Sequence, residues 1–338
     1  MKPTPPTRAL TLAAVLLWTA AASPGAAAAV TPTPATNPTT ATAATPAATA
    51  RADSPTPAAA NTATTTATSA TPAAPAPPTA ASPELLTDTT TPTQQEADAA
   101  LINAVNADDF AAGSFTGAAG MLRYRLLPPP SVHAGQRYPL ILVLHGSGAI
   151  GDDNRRQLDK LALSWAAPAI RAKFPAYILV PQFPERSANY APSAADGLLA
   201  ARPGPNIATL TALVEQLKLQ YPVAAERVYV TGFSMGASAA TQALLHQPGL
   251  FAAAVAFSGI APERSEAARL AATPLMLVHG DADNDNPIGP DRALFAALQR
   301  QPGATVRFIE YQGLEHTVPP AMLLSPAWRE WLLGQRLP

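Results

Sequence analysis

Ser234 stands in Gly232-Phe233-Ser234-Met235-Gly236, directly after the apolar, β-branched run Arg227–Thr231 and before a run of small residues with helical character. A serine between two glycines at a strand-to-helix turn has the form of a nucleophile elbow. The turn is tight enough to strain the serine backbone, and side chains larger than hydrogen would clash on either side. Such a turn lifts the serine hydroxyl above a sheet edge and aims a helix N-terminus at developing negative charge. The chemistry is acyl transfer, which needs a base, an orienting carboxylate and an oxyanion hole.

The chain offers each of these just after an expected strand, in the order Ser, Asp, His. Val278-His279-Gly280-Asp281-Ala282-Asp283 supplies the acid, with Asp283 preferred and Asp281 the alternative. Asp281, Asp283 and Asp285 also resemble the start of a calcium loop. That loop needs glycine at its sixth position and glutamate at its twelfth; Asn286 and Arg292 stand there. Of five histidines, only His316 combines the right order with a position after the last strand. His133 reads as a loop residue, His246 as a helix C-terminal cation, His279 as a local hydrogen-bonding group and His145 as part of Leu144-His145-Gly146-Ser147-Gly148. That last segment supplies the oxyanion loop, where an amide of Ser147 or a neighbour would join the Met235 amide. No Gly-Lys-Ser/Thr follows it, which argues against phosphate binding. Ser238 and Ser258 read as structural.

The expected elements alternate between strand and helix. Strands are expected at Met121–Leu127, Tyr138–Leu144, Ala176–Pro181, Glu226–Thr231, Phe251–Phe257, Pro274–Val278 and Ala304–Tyr311. Helical spacing is read over Gln94–Phe110, Ile207–Leu219, Met235–His246, Asp291–Gln301 and Pro326–Leu333. This alternation predicts an α/β fold, a mostly parallel sheet covered by helices on both faces, with functional loops at the strand C-termini.

In these motifs the chain resembles secreted α/β-hydrolases of the predicted-peptidase, polyhydroxybutyrate-depolymerase-like and feruloyl-esterase-like group. The resemblance covers roughly Ala111 to the C-terminus. It rests on Met121–Pro128, Tyr138–Gly148, Gly151-Asp152-Asp153-Asn154 with Gln157-Leu158, Val180-Pro181-Gln182, the elbow, His279–Asp283 and Glu315-His316. It implies Ser234 as nucleophile, Asp283 as acid and His316 as base, with no cofactor. Ala237 stands where the group usually has glycine, and Phe183–Arg202 lacks the tryptophans often seen there. That stretch is expected to border the acyl or alcohol pocket. Asn154 and Gln182 fit a role in supporting the oxyanion loop, and turn-stabilising hydrogen bonds explain them equally well.

The rest of the chain bounds the setting. Residues 1–29 read as a secretory signal: Lys2 and Arg8, an apolar run Ala9–Ala22 shorter than a membrane span, then Ala26–Ala29. The expected destination is the periplasm or the medium, without stable membrane insertion after cleavage. Residues 30–93, almost entirely Ala, Thr, Pro and Ser, read as a disordered linker, leaving 94–338 as the catalytic domain. The chain has no cysteine and a net charge of −1, with no basic stripe, so nucleic acid is not an expected partner. The expected partner is a small or polymeric ester; nothing fixes the oligomeric state. A serine peptidase on the same fold and a non-catalytic wall-binding protein are the competing readings.

Overall fold

The computed structural model describes residues 82–338. The reading of residues 1–29 as a signal, and most of the linker reading, fall outside these residues. In chain order the described residues form β1 (Glu84–Leu86), α1 (Pro92–Asn103), β2 (Ala111–Gly117), β3 (Gly120–Leu127), β4 (Tyr138–Leu144), α2 (Lys160–Ser164), α3 (Pro168–Lys173) and β5 (Tyr177–Gln182). They continue with β6 (Ala188–Pro192), β7 (Leu199–Pro203), α4 (Ile207–Gln220), β8 (Val223–Phe233), α5 (Met235–His246), β9 (Ala253–Phe257) and α6 (Ala267–Leu270). The last elements are β10 (Leu275–Gly280), α7 (Gly289–Leu298), β11 (Val306–Tyr311), α8 (Pro320–Leu323) and α9 (Ala327–Gly334).

Nine strands form one sheet in the order β1-β11-β10-β9-β8-β4-β5-β3-β2. Every pairing from β1 through β5 along that order is parallel, and the β3 pairings with β5 and β2 are antiparallel. All seven residues of β4 are buried. Leu140, Leu142 and Leu144 pack on one side with Leu210 and Leu213 of α4 and Leu294 of α7. Ile141 and Val143 pack on the other with Leu161 of α2, Ile170 of α3 and Trp328 of α9. A strand apolar on both faces is what a parallel sheet sandwiched between helices requires.

Three departures from the sequence reading concern weakly apolar segments. Residues 84–93, read as the end of the linker, are part of the fold. Glu84–Leu86 pairs in parallel with β11, and its Glu84 carboxylate meets the Arg307 guanidinium through two 2.9 Å hydrogen bonds. α1 begins at Pro92, capped by the Thr91 hydroxyl, which accepts from the Gln94 amide. It ends at Asn103 rather than reaching Phe110. Ala111–Gly117, where no strand was expected, forms a hairpin with β3. Its side chains are largely exposed, so it carries no apolar alternation to read.

Candidate active site

β8 ends at Phe233 and α5 starts at Met235, so Ser234 is the turn between them. Its backbone has φ 57° and ψ −122°, a conformation that costs on the order of 1–3 kcal/mol for a residue with a Cβ. The turn is held because the Ser234 amide donates to Phe257 O at 2.9 Å and its carbonyl accepts from Ser238 at 3.1 Å. Close packing fixes the flanking glycines. A Cβ on Gly232 would overlap the Gly236 carbonyl, and one on Gly236 would overlap the Leu144 carbonyl.

The structure brings Ser234, His316 and Asp283 into one line. His316 Nε2 lies 2.9 Å from Ser234 Oγ, and Nδ1 lies 2.7 Å from Asp283 Oδ2. The Asp283 carboxylate is fully buried, and its Oδ1 accepts the amides of Asp285 and Asn286 at 3.0 and 2.8 Å. An ionised Asp283 accepts from Nδ1–H and leaves the Nε2 lone pair facing the serine hydroxyl. The Phe233 ring sits against the His316 ring, 4.8 Å between centroids. Asp281 is turned away: its Oδ1 accepts from the Gly313 amide at 2.6 Å, closing the turn before His316. The two carboxylates therefore do not converge as calcium ligands would.

Met235 opens α5, and Ser147 opens a 3-10 turn, Ser147–Ala149, so neither amide has an intrahelical acceptor. Gly146 backs onto Phe233 and Ser234, which puts this turn beside Ser234. A buried network fixes it from behind. Gln182 Nε2 donates to Ala149 O at 3.1 Å and to Asp153 Oδ1 at 3.0 Å, while its Oε1 accepts from the Asn154 amide. Gln157 donates to Asn154 Oδ1, and Asn154 Nδ2 reaches Tyr124 O at 3.1 Å. His145 is buried; its Nδ1 donates to Gly146 O and its Nε2 accepts from the Phe183 amide at 2.9 Å. Burial outweighs the Gly146 bond and pushes its pKa down, in keeping with a neutral ring.

Two residues read as structural hold the site. Ser258, at φ 51°, donates to Thr317 O at 3.2 Å, and its carbonyl accepts from Asn286 Nδ2 at 2.8 Å. It thus joins the Asp283 loop to the His316 loop. Ser238 Oγ accepts from the Ile260 amide at 2.8 Å and meets the Tyr190 hydroxyl at 3.1 Å.

His279 does more than the sequence reading assigned to it. It is fully buried, with Nε2 donating to Asn286 O at 2.9 Å and standing 3.3 Å from Asp283 Oδ2. Nδ1 lies 2.8 Å from Asp291 Oδ2 on α7. Burial alone would lower its pKa, but Asp291, Asn286 and Asp283 together hold it above the ordinary histidine value. The sequence carries no signal for this, because Asp291 lies in a separate element.

A cavity of about 630 Å³ opens beside this line of residues, bordered by Gly146, Phe233 and Thr317 and walled by α1. Asp159 also borders it. Part of that residue still reaches solvent, yet burial of the carboxyl outweighs its bonds to the α2 amides and raises its pKa to about 6. The stretch Phe183–Arg202, expected to border the pocket, does not line this cavity. Its β6–β7 hairpin packs instead at α5, through Tyr190 and Ser238.

A phospholipase/carboxylesterase family model matches residues 202–325, a span that holds Ser234, Asp283 and His316 but not Ser147. Among solved structures, a thermostable esterase is similar with a TM-score of 0.61 at 28% identity, over 68% of this chain and 64% of that one. A Bacteroides ovatus protein assigned as a dipeptidyl aminopeptidase IV is similar with a TM-score of 0.50 at 18% identity, over 68% and 36%. This chain thus spans somewhat under two thirds of the esterase and about a third of the second protein. No curated protein matches it. The chain has the α/β-hydrolase fold, a mostly parallel central sheet with helices on both faces.

Proposed function

We propose that this chain is an exported serine hydrolase that cleaves carboxylic esters, with Ser234 as nucleophile, His316 as base and Asp283 as the carboxylate that orients it. The observation that carries this reading is the hydrogen-bonded line from a strained Ser234 through His316 to a buried Asp283. The matched family description and the similarity to an esterase favour esters as the substrate class.

His316 Nε2 takes the Ser234 proton as Oγ attacks the ester carbonyl carbon. The resulting oxyanion sits at the amides of Met235 and Ser147, aided by the N-terminus of α5. Asp283 holds the tautomer and stabilises the imidazolium. His316 then passes its proton to the departing alkoxide, leaving an acyl group on Ser234. In the second half His316 takes a proton from water as it attacks the acyl carbon, then returns that proton to Ser234 Oγ as the C–Oγ bond breaks and the acid leaves. Each step needs only protein side chains, amides and water.

The test is turnover of p-nitrophenyl acetate. Ser234→Ala should lower kcat by at least about 10⁴-fold with an unchanged melting curve. Full activity in that variant would refute the assignment.

A further inference from the structure

We infer that the cavity walled by α1 is the subsite for an apolar, alkyl or aryl, substituent of the ester; this rests on the ester-hydrolase reading above. The cavity borders the residue before the nucleophile, Phe233, the residue after the base, Thr317, and Gly146 of the oxyanion loop. A group attached to the scissile carbonyl is therefore placed to enter it. Its volume, about 630 Å³, lies within the range of small-molecule pockets.

The lining selects against charge. Ala99 and Ile102 of α1, Leu161 of α2, Phe233, Val318 and Leu323 supply apolar walls from five separate segments. Four ionisable side chains also border the cavity, two of each sign: Asp98, Arg156, Asp159 and Lys160. Three of them are engaged. Arg156 pairs with Asp153 at 3.1 Å, Asp159 caps α2 by accepting from the Ala162 amide at 3.0 Å, and Asp98 accepts from Gln94 at 2.7 Å. A cationic substituent would be desolvated there without a dedicated partner and an anionic one would meet only the exposed Lys160 ammonium, whereas an apolar one exchanges water for carbon contacts. α1 makes the pocket finite. It comes from the stretch between the low-complexity N-terminal quarter and the hydrolase motifs, so the wall that limits substituent length is a separate piece of chain from the catalytic loops.

The experiment measures kcat/KM for two ester series, acyl groups of about two to ten carbons on one alcohol and acetates of alcohols lengthened over the same range. The wild-type protein, Ala99→Trp and Leu323→Ala are compared. In one series the wild-type value should rise with length, by up to about fourfold per methylene until the cavity is full. Ala99→Trp should cut the ratio of long to short substrates at least tenfold. Leu323→Ala should move the optimum to longer groups. Circular dichroism and melting establish that each variant is folded. Wild-type values flat with length in both series would overturn the inference, and so would folded variants with unchanged ratios. If the wild-type protein turns over no ester at all, it is the ester reading itself that fails, and the subsite assignment falls with it.

Discussion

Three non-glycine residues among those described have positive φ: Asn154, Ser234 and Ser258. Ser234 presents the hydroxyl, Ser258 ties the acid loop to the base loop, and Asn154 sits in the network behind the oxyanion turn. Backbone strain is thus gathered where positions must be fixed, as expected of a preorganised site. Sequence order identified Ser234 and His316 as candidates, because each follows a recognisable strand. It did not separate Asp283 from Asp281, two residues apart in one turn; only the turn's direction decides which carboxylate meets His316. Asp283→Asn should lower kcat by about 10⁴-fold, since the amide favours the wrong imidazole tautomer. Asp281→Asn should cost far less, because that residue only closes the Gly313 turn. Steady-state kinetics on the two variants distinguishes them, and equal losses would contradict the assignment.

The buried His279 belongs to the same scale and produces a pH dependence. Asn286 O can only accept, so Nε2 carries a proton, and an ionised Asp291 makes Nδ1 a second donor. A cation 3.3 Å from Asp283 Oδ2 offsets part of the negative field that Asp283 exerts on His316. The Arg292–Glu310 ion pair lies alongside, Glu310 being the β11 partner of His279, and is internally compensated. Asp291→Asn would remove a carboxylate that holds the His279 pKa up and leave the Asp283 charge less opposed. The acid limb of the kcat/KM profile should then move up by at most about one pH unit. An unmoved limb, or one displaced to lower pH, would count against this coupling.

At the level of elements, the central strands and their helices were legible because they carry continuous apolar runs or helical spacing. Tyr138–Leu144 and Met235–His246 were read with the bounds the structure shows. β1, β2 and the β6–β7 hairpin were not, since they are short and largely exposed or sit outside the sheet core. The join between α2 and the C-terminal elements was also hidden. It depends on Arg329, buried between the rings of Trp165 and Trp328 at 4.6 and 4.4 Å. Its guanidinium donates to Ser164 Oγ, Leu323 O and Ser325 O and pairs with no carboxylate among the described residues, and burial lowers its pKa to about 9. Arg329→Met would leave those acceptors unpaired and should reduce unfolding free energy by about 2 kcal/mol, measurable by urea denaturation. A variant as stable as the wild type would show that packing alone secures α9.

For the whole molecule, the α/β alternation dictated a parallel sheet, and a parallel sheet dictated that strand ends carry the site. β8, β10 and β11 each deliver one member of the Ser234–His316–Asp283 line, and β4 delivers the Ser147 turn beside them. What lay beyond the sequence was the wall of the cavity, built by α1 against loops distant in the chain. The central claim is that this assembly activates Ser234 alone among the serines. A fluorophosphonate probe followed by peptide mass spectrometry tests it most directly. One adduct, on Ser234, is expected, greatly slowed by His316→Ala in folded protein. An adduct on another residue, or none on the folded wild-type protein, would contradict it.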